Sequence, residues 1–152
     1  RMKTIIGTVS RAGRRAALSH GDEKARYDRG MATRRAVLGD AHVDAAEARK
    51  SDFDADFQRF ITEGAWGSIW AREGISRRAR SMITMALLAA LGHEEELAMH
   101  ARACANTGAS AEDIKETLLH VAVYAGVPAA NRGFKIVKQA LEAEAKKEDE
   151  AE

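Results

Sequence analysis

The sequence predicts an all-α fold, a compact bundle of about six helices, and three observations carry that prediction. Alanine, leucine, arginine, lysine, glutamate and methionine fill positions that strands would give to β-branched and aromatic residues. Pro128 is the only proline, and aromatic residues make up 5% of the 152 positions. Capping residues and glycines recur at intervals that open and close helices. A chain of this length is the size of one domain, and such a domain buries roughly 70% of the surface its unfolded chain exposes.

Taken in order, residues 1–24 form a basic leader in which Arg1, Lys3, Arg11, Arg14 and Arg15 have no acid among the first twenty residues. That composition fits an organelle transit peptide and equally a loosely packed tail. A helical domain follows over 25–141, and a glutamate-rich charged end occupies 142–152. Tyr27 to Leu38 reads as a first modest helix. Ser51, with Asp54 three residues on, resembles a capping box that opens a helix with Phe53, Phe57, Phe60 and Ile61 on one face. Gly64 and Gly67 then argue for a break or bend. Ser76 opens the next helix, whose stretch from Met82 to Leu91 is apolar on every side, so it should be buried all round, at the centre or against another subunit. Gly92 ends it. Residues 93–107 form a helix with Leu97, Ala101 and Cys104 toward the core, stopped at Gly108. Ser110 and Asp113 cap a helix that carries Ile114, Leu118, Val121 and Ala125. Pro128 suits a first helical turn, and Ala129 to Glu144 is the last helix.

Twenty-four basic against 23 acidic residues leave a net charge of +1, so no whole-chain field invites nucleic acid or an anionic membrane. One cysteine, Cys104, permits neither an intrachain disulfide nor a Cys-x-x-Cys redox pair. No apolar run is long enough to span a bilayer, and the expected home is the cytoplasm.

Glu116, His120 and Tyr124 stand four residues apart, on successive turns of one helix. A carboxylate beside a histidine fixes its tautomer and raises its pKa toward neutrality, which suits proton transfer. The same spacing also describes an ordinary helical pair beside a half-buried tyrosine. Glu96 and His100 repeat it on the preceding helix. A short loop joins the two helices, which should pack antiparallel with the pairs close together. The spacing is Glu-x-x-x-His rather than Glu-x-x-His, with no matched acidic pair elsewhere, so no metal site is read here. Arg77, Arg78 and Arg80 crowd one positive helix end, where a bound anion would explain them. Arg80 is the preferred carboxylate ligand, with Arg132 a second candidate. Trp66 and Trp70, one turn apart, read as core or pocket wall.

Three segments together resemble the carboxymuconolactone decarboxylase and alkylhydroperoxidase-like family. They are Trp66-Gly67-x-x-Trp70-x-Arg72-x-Gly74-Ile75-x-x-Arg78-x-Arg80-Ser81, then Glu96-Leu97-x-x-His100, then Glu116-x-x-Leu119-His120-x-x-x-Tyr124-Ala125-Gly126-Val127-Pro128-Ala129-Ala130-Asn131. The resemblance spans about residues 25–138. The thiol branch of that family carries Cys-x-x-Cys-x-x-x-His, and aligning its histidine on His100 puts His93 and Glu96 at the two sulfur positions. Peroxide reduction is thereby excluded, since one cysteine cannot complete a dithiol cycle.

The resemblance implies a helical fold assembled as a homotrimeric or homohexameric ring with sites near subunit contacts. It also implies loss of carbon dioxide from gamma-carboxymuconolactone, giving the beta-ketoadipate enol-lactone in the protocatechuate branch of aromatic breakdown. No cofactor is required, because the lactone carbonyl accepts the electrons that other decarboxylases send to a cofactor. The enzyme then has to hold two carboxylates, stabilise an oxyanion and deliver one proton. Arg80 and Arg72 are the expected carboxylate ligands, with Trp66 and Tyr124 also at the substrate. His120, oriented by Glu116, is the expected proton donor, and His100 or Tyr124 the hydrogen-bond donor to the enolate oxygen. The enol-lactone hydrolase that follows is a candidate partner. Another cofactor-free lactone transformation, or a non-catalytic helical oligomer, remains the alternative.

Overall fold

A computed structural model describes residues 20–151. The basic leader through residue 19 lies outside the described residues. Helix α1 (His20–Leu38) starts with Asp22 and Glu23 in its first turn, where acids oppose the positive helix end. Gly39, at φ +88°, breaks the chain into α2 (Asp40–Arg49), a helix the sequence reading did not separate. Helix α3 (Ala55–Ile61) is short and buries none of its residues. The Asp54 carboxylate accepts from both the amide and the hydroxyl of Ser51, at 2.8 and 3.0 Å, and so fixes the turn before α3.

Two expectations fail at this point. Phe53, Phe57 and Phe60 face outward and are largely exposed, because α3 packs mainly on the segment that follows it and brings no partner to its aromatic face. Gly64 and Gly67 do not break the helix either. The chain continues through them as a nine-residue π-helix, Thr62–Trp70. The wider turn brings residues about four apart into line, so Trp66 and Trp70 share one face.

That π-helical segment packs closely along α1. A methyl group at Gly30 would run into the carbonyl oxygen of Thr62, and one at Gly67 would run into the carbonyl oxygen of Arg26. Arg29 adds a hydrogen bond from Nε to the Gly67 carbonyl at 3.1 Å. Two glycines thus allow the two backbones to touch where side chains would hold them apart.

The remaining helices are α4 (Arg77–Leu91), α5 (Glu94–Thr107), α6 (Ala111–Tyr124) and α7 (Val127–Ala151). Ser76 caps α4 by accepting from the Ala79 amide at 3.1 Å. Ser110 and Asp113 form the full capping box expected of α6. Gly92 and Gly108 end α4 and α5 in the left-handed conformation. The main core lies among these four helices: Met85, Leu97, Ala101, Cys104, Leu118, Val121 and Val137 are its centre. Helix α7 runs on to Ala151, beyond the expected end near Glu144. A Lys147–Glu144 pair at three-residue spacing spans the start of that charged extension, and a Lys138–Glu142 pair lies just before it.

Helix α4 is not buried all round in the single chain. Ser81, Met85 and Ala89 face the core, while Ile83, Leu87 and Leu91 are more than half exposed. Nor do α5 and α6 face each other: each packs chiefly on α4 and α7, which separate them.

Gly30→Ala and Gly67→Ala should each destabilise the fold by about 1–3 kcal/mol or more, through overpacking against backbone that has nowhere to yield. Urea titration followed by circular dichroism checks this, with Gly64→Ala as the control, since a methyl there meets no atom within 4 Å.

Candidate functional site

The π-helical turn and α5 bring three rings together. Trp66 and Trp70 lie with centroids 5.2 Å apart. The His100 imidazole stacks against both, at 6.3 Å and 18° from Trp66 and 5.9 Å and 16° from Trp70. All three residues are less than a tenth exposed. Val37 of α1 and Ala103 of α5 complete the packing around the indoles. His100 Nδ1 is buried, and no protein group hydrogen-bonds to it. A buried polar atom left in this state costs about 1–3 kcal/mol, which is the kind of strain a ligand relieves. Burial pushes the His100 pKa down to about 4; Glu96 opposes the shift and His42 adds to it. The imidazole is therefore neutral at physiological pH, a hydrogen-bond donor and acceptor rather than a cation.

Trp70 also lines a groove of about 380 Å³ with Arg29, Thr33, Arg72, Glu73 and Arg77. Three arginines against one glutamate give it a cationic character suited to a carboxylate. Arg80 sits at the same helix end: it is half-buried, donates from Nη2 to the Arg72 carbonyl at 3.0 Å, and keeps its buried Nε without a partner. Arg78 is occupied, since its guanidinium makes a two-pronged pair with Asp113 in the capping box of α6. Arg132 is likewise paired with Glu94. Of the arginines crowding this helix end, Arg72, Arg77 and Arg80 thus have no carboxylate partner among the described residues.

His120, Glu116 and Tyr124 lie elsewhere. All three are exposed on α6, and the His120 ring packs on Tyr124 at 4.7 Å. No hydrogen bond joins Glu116 to His120 among the described residues. Both line a shallow groove of about 370 Å³ with Met82, Ile83, Ala86 and Thr117. Within one chain the structure brings Trp66 and His100 together and sets Arg72 and Arg80 near them through Trp70, but it does not bring His120 and Glu116 to His100. Because α4 and α7 stand between α5 and α6, the two Glu–His pairs do not meet.

Cys104 lies in the core beneath His100. Its thiol donates to the His100 carbonyl at 3.3 Å, and burial pushes its pKa up to about 11, so it packs as a small apolar residue. Sequence reasoning treated Trp70 only as a wall and passed over Arg29, which lines the groove beside it. Among the described residues, no group of three His, Cys, Asp or Glu side chains is gathered closely enough to hold a metal ion, and no helix is long and apolar enough to cross a membrane.

An all-helical domain whose buried histidine and paired indoles adjoin an arginine-lined groove is built to receive a small organic acid. The chain belongs to the carboxymuconolactone decarboxylase family, whose pattern matches residues 55–139. It is 43% identical over 118 residues to the 4-carboxymuconolactone decarboxylase of Acinetobacter baylyi, covering 78% of this chain and 88% of that one. It is 34% identical over 115 residues to the nitrosuccinic acid decarboxylase npaB of Metarhizium robertsii, covering 76% and 80% of the two. A 46-residue match to a 4-carboxymuconolactone decarboxylase of Pseudomonas putida reaches 59% identity, over 30% of this chain and 96% of that one.

The lowered His100 pKa links stability to pH. Between about pH 6.5 and 4 the unfolded chain binds a proton that folded His100 refuses, so stability should be complete above pH 6.5 and fall as pH drops toward 4. His42, shifted down chiefly by its own burial, contributes with the same sign. Thermal unfolding across this range should show the loss in the wild type, and His100→Gln should flatten the curve in part.

Proposed function

We propose that this protein decarboxylates gamma-carboxymuconolactone to the beta-ketoadipate enol-lactone without a cofactor, and that His100 on its indole pair is the centre of the reaction. The observation that carries the reading is a neutral, buried imidazole with a free ring nitrogen beside an arginine-lined groove, in a chain whose family and relatives are decarboxylases. The electrons left when carbon dioxide departs travel through the ring double bond to the lactone carbonyl oxygen. A neutral imidazole is a suitable donor to that oxygen: it stabilises charge that exists only in the transition state and gives the substrate no salt bridge beforehand. The indoles keep the surroundings poor in water, which strengthens that hydrogen bond. Arg72 and Arg80 hold carboxylate at the mouth of the groove. The proton is then delivered to the ring carbon next to the lactone carbonyl, which leaves the double bond at the carbon that lost the carboxylate and gives the enol-lactone.

His120, positioned by Glu116, is the proposed donor of that proton, with Tyr124 beside it. These residues are exposed in one chain, next to the apolar strip of Ile83, Leu87 and Leu91 on α4 and Val123 and Val127 at the α6–α7 corner. An exposed strip of this kind favours contact with another copy. We therefore assign the working form to a homotrimeric or homohexameric ring in which His120 of one subunit serves the His100 site of another. The cytoplasm, and association with the hydrolase that consumes the enol-lactone, belong to the same proposal.

Purified protein treated with a chelator should release carbon dioxide from freshly made gamma-carboxymuconolactone; a well-folded preparation that leaves the lactone intact defeats the assignment. His100→Ala should cost about 10²–10³ in kcat, the usual loss for one oxyanion donor. His120→Ala should cost about 10²–10⁴, as for a removed general acid. Mixing the two inactive variants under conditions that exchange subunits should restore part of the activity, because some sites then combine an intact His100 with an intact His120. Mixtures that stay inactive after proven exchange would show that His120 does not act across subunits.

A further inference from the structure

Helix α4 opens with Arg77-Arg78-Ala79-Arg80-Ser81, and the structure divides these side chains between two roles. Arg78 and Ser81 bind other parts of the protein, while Arg77 and Arg80 have no carboxylate partner among the described residues. At about 100° per residue, Arg78 and Ser81 lie roughly 60° apart on one side of the helix, and Arg77 and Arg80 roughly 60° apart on the adjoining side.

Both anchors grip the corner where α5 ends and α6 begins. Arg78 donates from Nε to Asp113 Oδ2 at 2.7 Å and from Nη2 to Asp113 Oδ1, a two-pronged geometry that fixes the orientation of the guanidinium as well as its distance. Surface ion pairs ordinarily contribute little, because two long side chains must be ordered to make them. Here the carboxylate is ordered already. Asp113 also accepts from the Ser110 amide at 2.9 Å, its own amide donates to the Ser110 hydroxyl at 3.1 Å, and its side chain is 14% exposed. Three residues further along α4, the fully buried Ser81 hydroxyl lies 2.7 Å from that of Thr107, the last residue of α5. Thr107 gives its own proton to the Cys104 carbonyl at 3.2 Å, so Ser81 is the donor between the two hydroxyls. The Cys104 thiol in turn donates to the His100 carbonyl at 3.3 Å. A line of polar contacts thus joins the arginine turn of α4 to the stretch of α5 that carries His100.

The other side of α4 shows what this holds in place. Arg77 lines the groove shared by Trp70 and Arg72, and Arg80 donates to the Arg72 carbonyl at 3.0 Å while its buried Nε has no partner. Cations gathered at a positive helix end favour fraying of that turn. We infer that the Arg78–Asp113 and Ser81–Thr107 contacts form a two-point clamp that positions Arg77 and Arg80 for a carboxylate. Arg78, Ser81, Thr107 and Asp113 are then positioning residues rather than substrate ligands. This deepens the proposed reaction and rests on its seating of a substrate carboxylate at Arg72 and Arg80.

Asp113→Asn separates the clamp from plain electrostatics, because the two predict opposite signs. Removing a negative charge near a cationic groove tightens an anion if charge alone matters. Loosening the clamp weakens it, although asparagine can still accept from the Ser110 amide and keep the cap. The readouts are KM and kcat for gamma-carboxymuconolactone, and calorimetric titration of the intact protein with succinate. The paired change Ser81→Ala/Thr107→Val removes both hydroxyls, so that neither is left orphaned. It and Asp113→Asn should each raise KM and the succinate Kd roughly three- to thirty-fold, the span of coupling within one contact network. Turnover should stay within about two-fold, as for a loss of uniform binding. Thr107→Ser, which keeps the hydroxyl, should bind as the wild type does. Thermal unfolding identifies the folded variants, and Asp113→Asn decides alone if the paired variant does not fold. The inference is overturned if Asp113→Asn binds succinate as tightly as the wild type or more so, or if the folded paired variant binds unchanged. It is also overturned if Thr107→Ser is as weak as the paired variant, if kcat falls while KM holds, or if the wild type binds no succinate. Lactone left intact by the wild type would refute the proposed reaction alone, and the succinate titrations would still decide the clamp.

Discussion

The close approach of α1 to the π-helical segment is the contact on which the rest of the site depends. Gly30 and Gly67 remove the two methyl groups that would part these backbones, and only then can the segment lie flat along α1. Its π-helical spacing turns Trp66 and Trp70 to one side, where α5 presents His100. Packing of this kind is stiff, since interiors near crystal density transmit a displacement rather than absorb it. A shift of the π-helical turn would move both indoles relative to the imidazole.

Burial then sets the chemistry. A histidine on an exposed helix face titrates near neutrality, but His100, buried against two indoles, is held neutral by desolvation. Neutrality suits a donor to an oxyanion, because a cation would also bind the carboxylates of the resting substrate. The same desolvation disarms Cys104, whose thiol is pushed away from the reactive thiolate form. One physical effect thus keeps the imidazole neutral and the thiol unreactive.

Much of this was legible in the residues. The Ser76, Ser110, Gly92 and Gly108 boundaries follow from local capping chemistry, which needs no knowledge of tertiary structure. Leu97, Ala101, Cys104, Ile114, Leu118 and Val121 follow from helical periodicity and are all buried. The family resemblance rested on motifs that also proved to carry the Trp66–His100 cluster. What periodicity could not show is which apolar face finds a partner: Phe53, Phe57 and Phe60 read as one apolar helix face and stand in the open. The π-helical turn was hidden because paired glycines ordinarily signal a break.

The central claim is that His100 works as a neutral imidazole held in an apolar clasp. Nitrogen-resolved NMR of the histidine side chains, followed from pH 8 to pH 4 on the intact protein, tests it most directly. The account predicts that the His100 ring stays neutral until the pH approaches 4. A His100 imidazole that is already protonated at pH 6 to 7 would contradict it, and with it the role of neutral donor to the enolate oxygen.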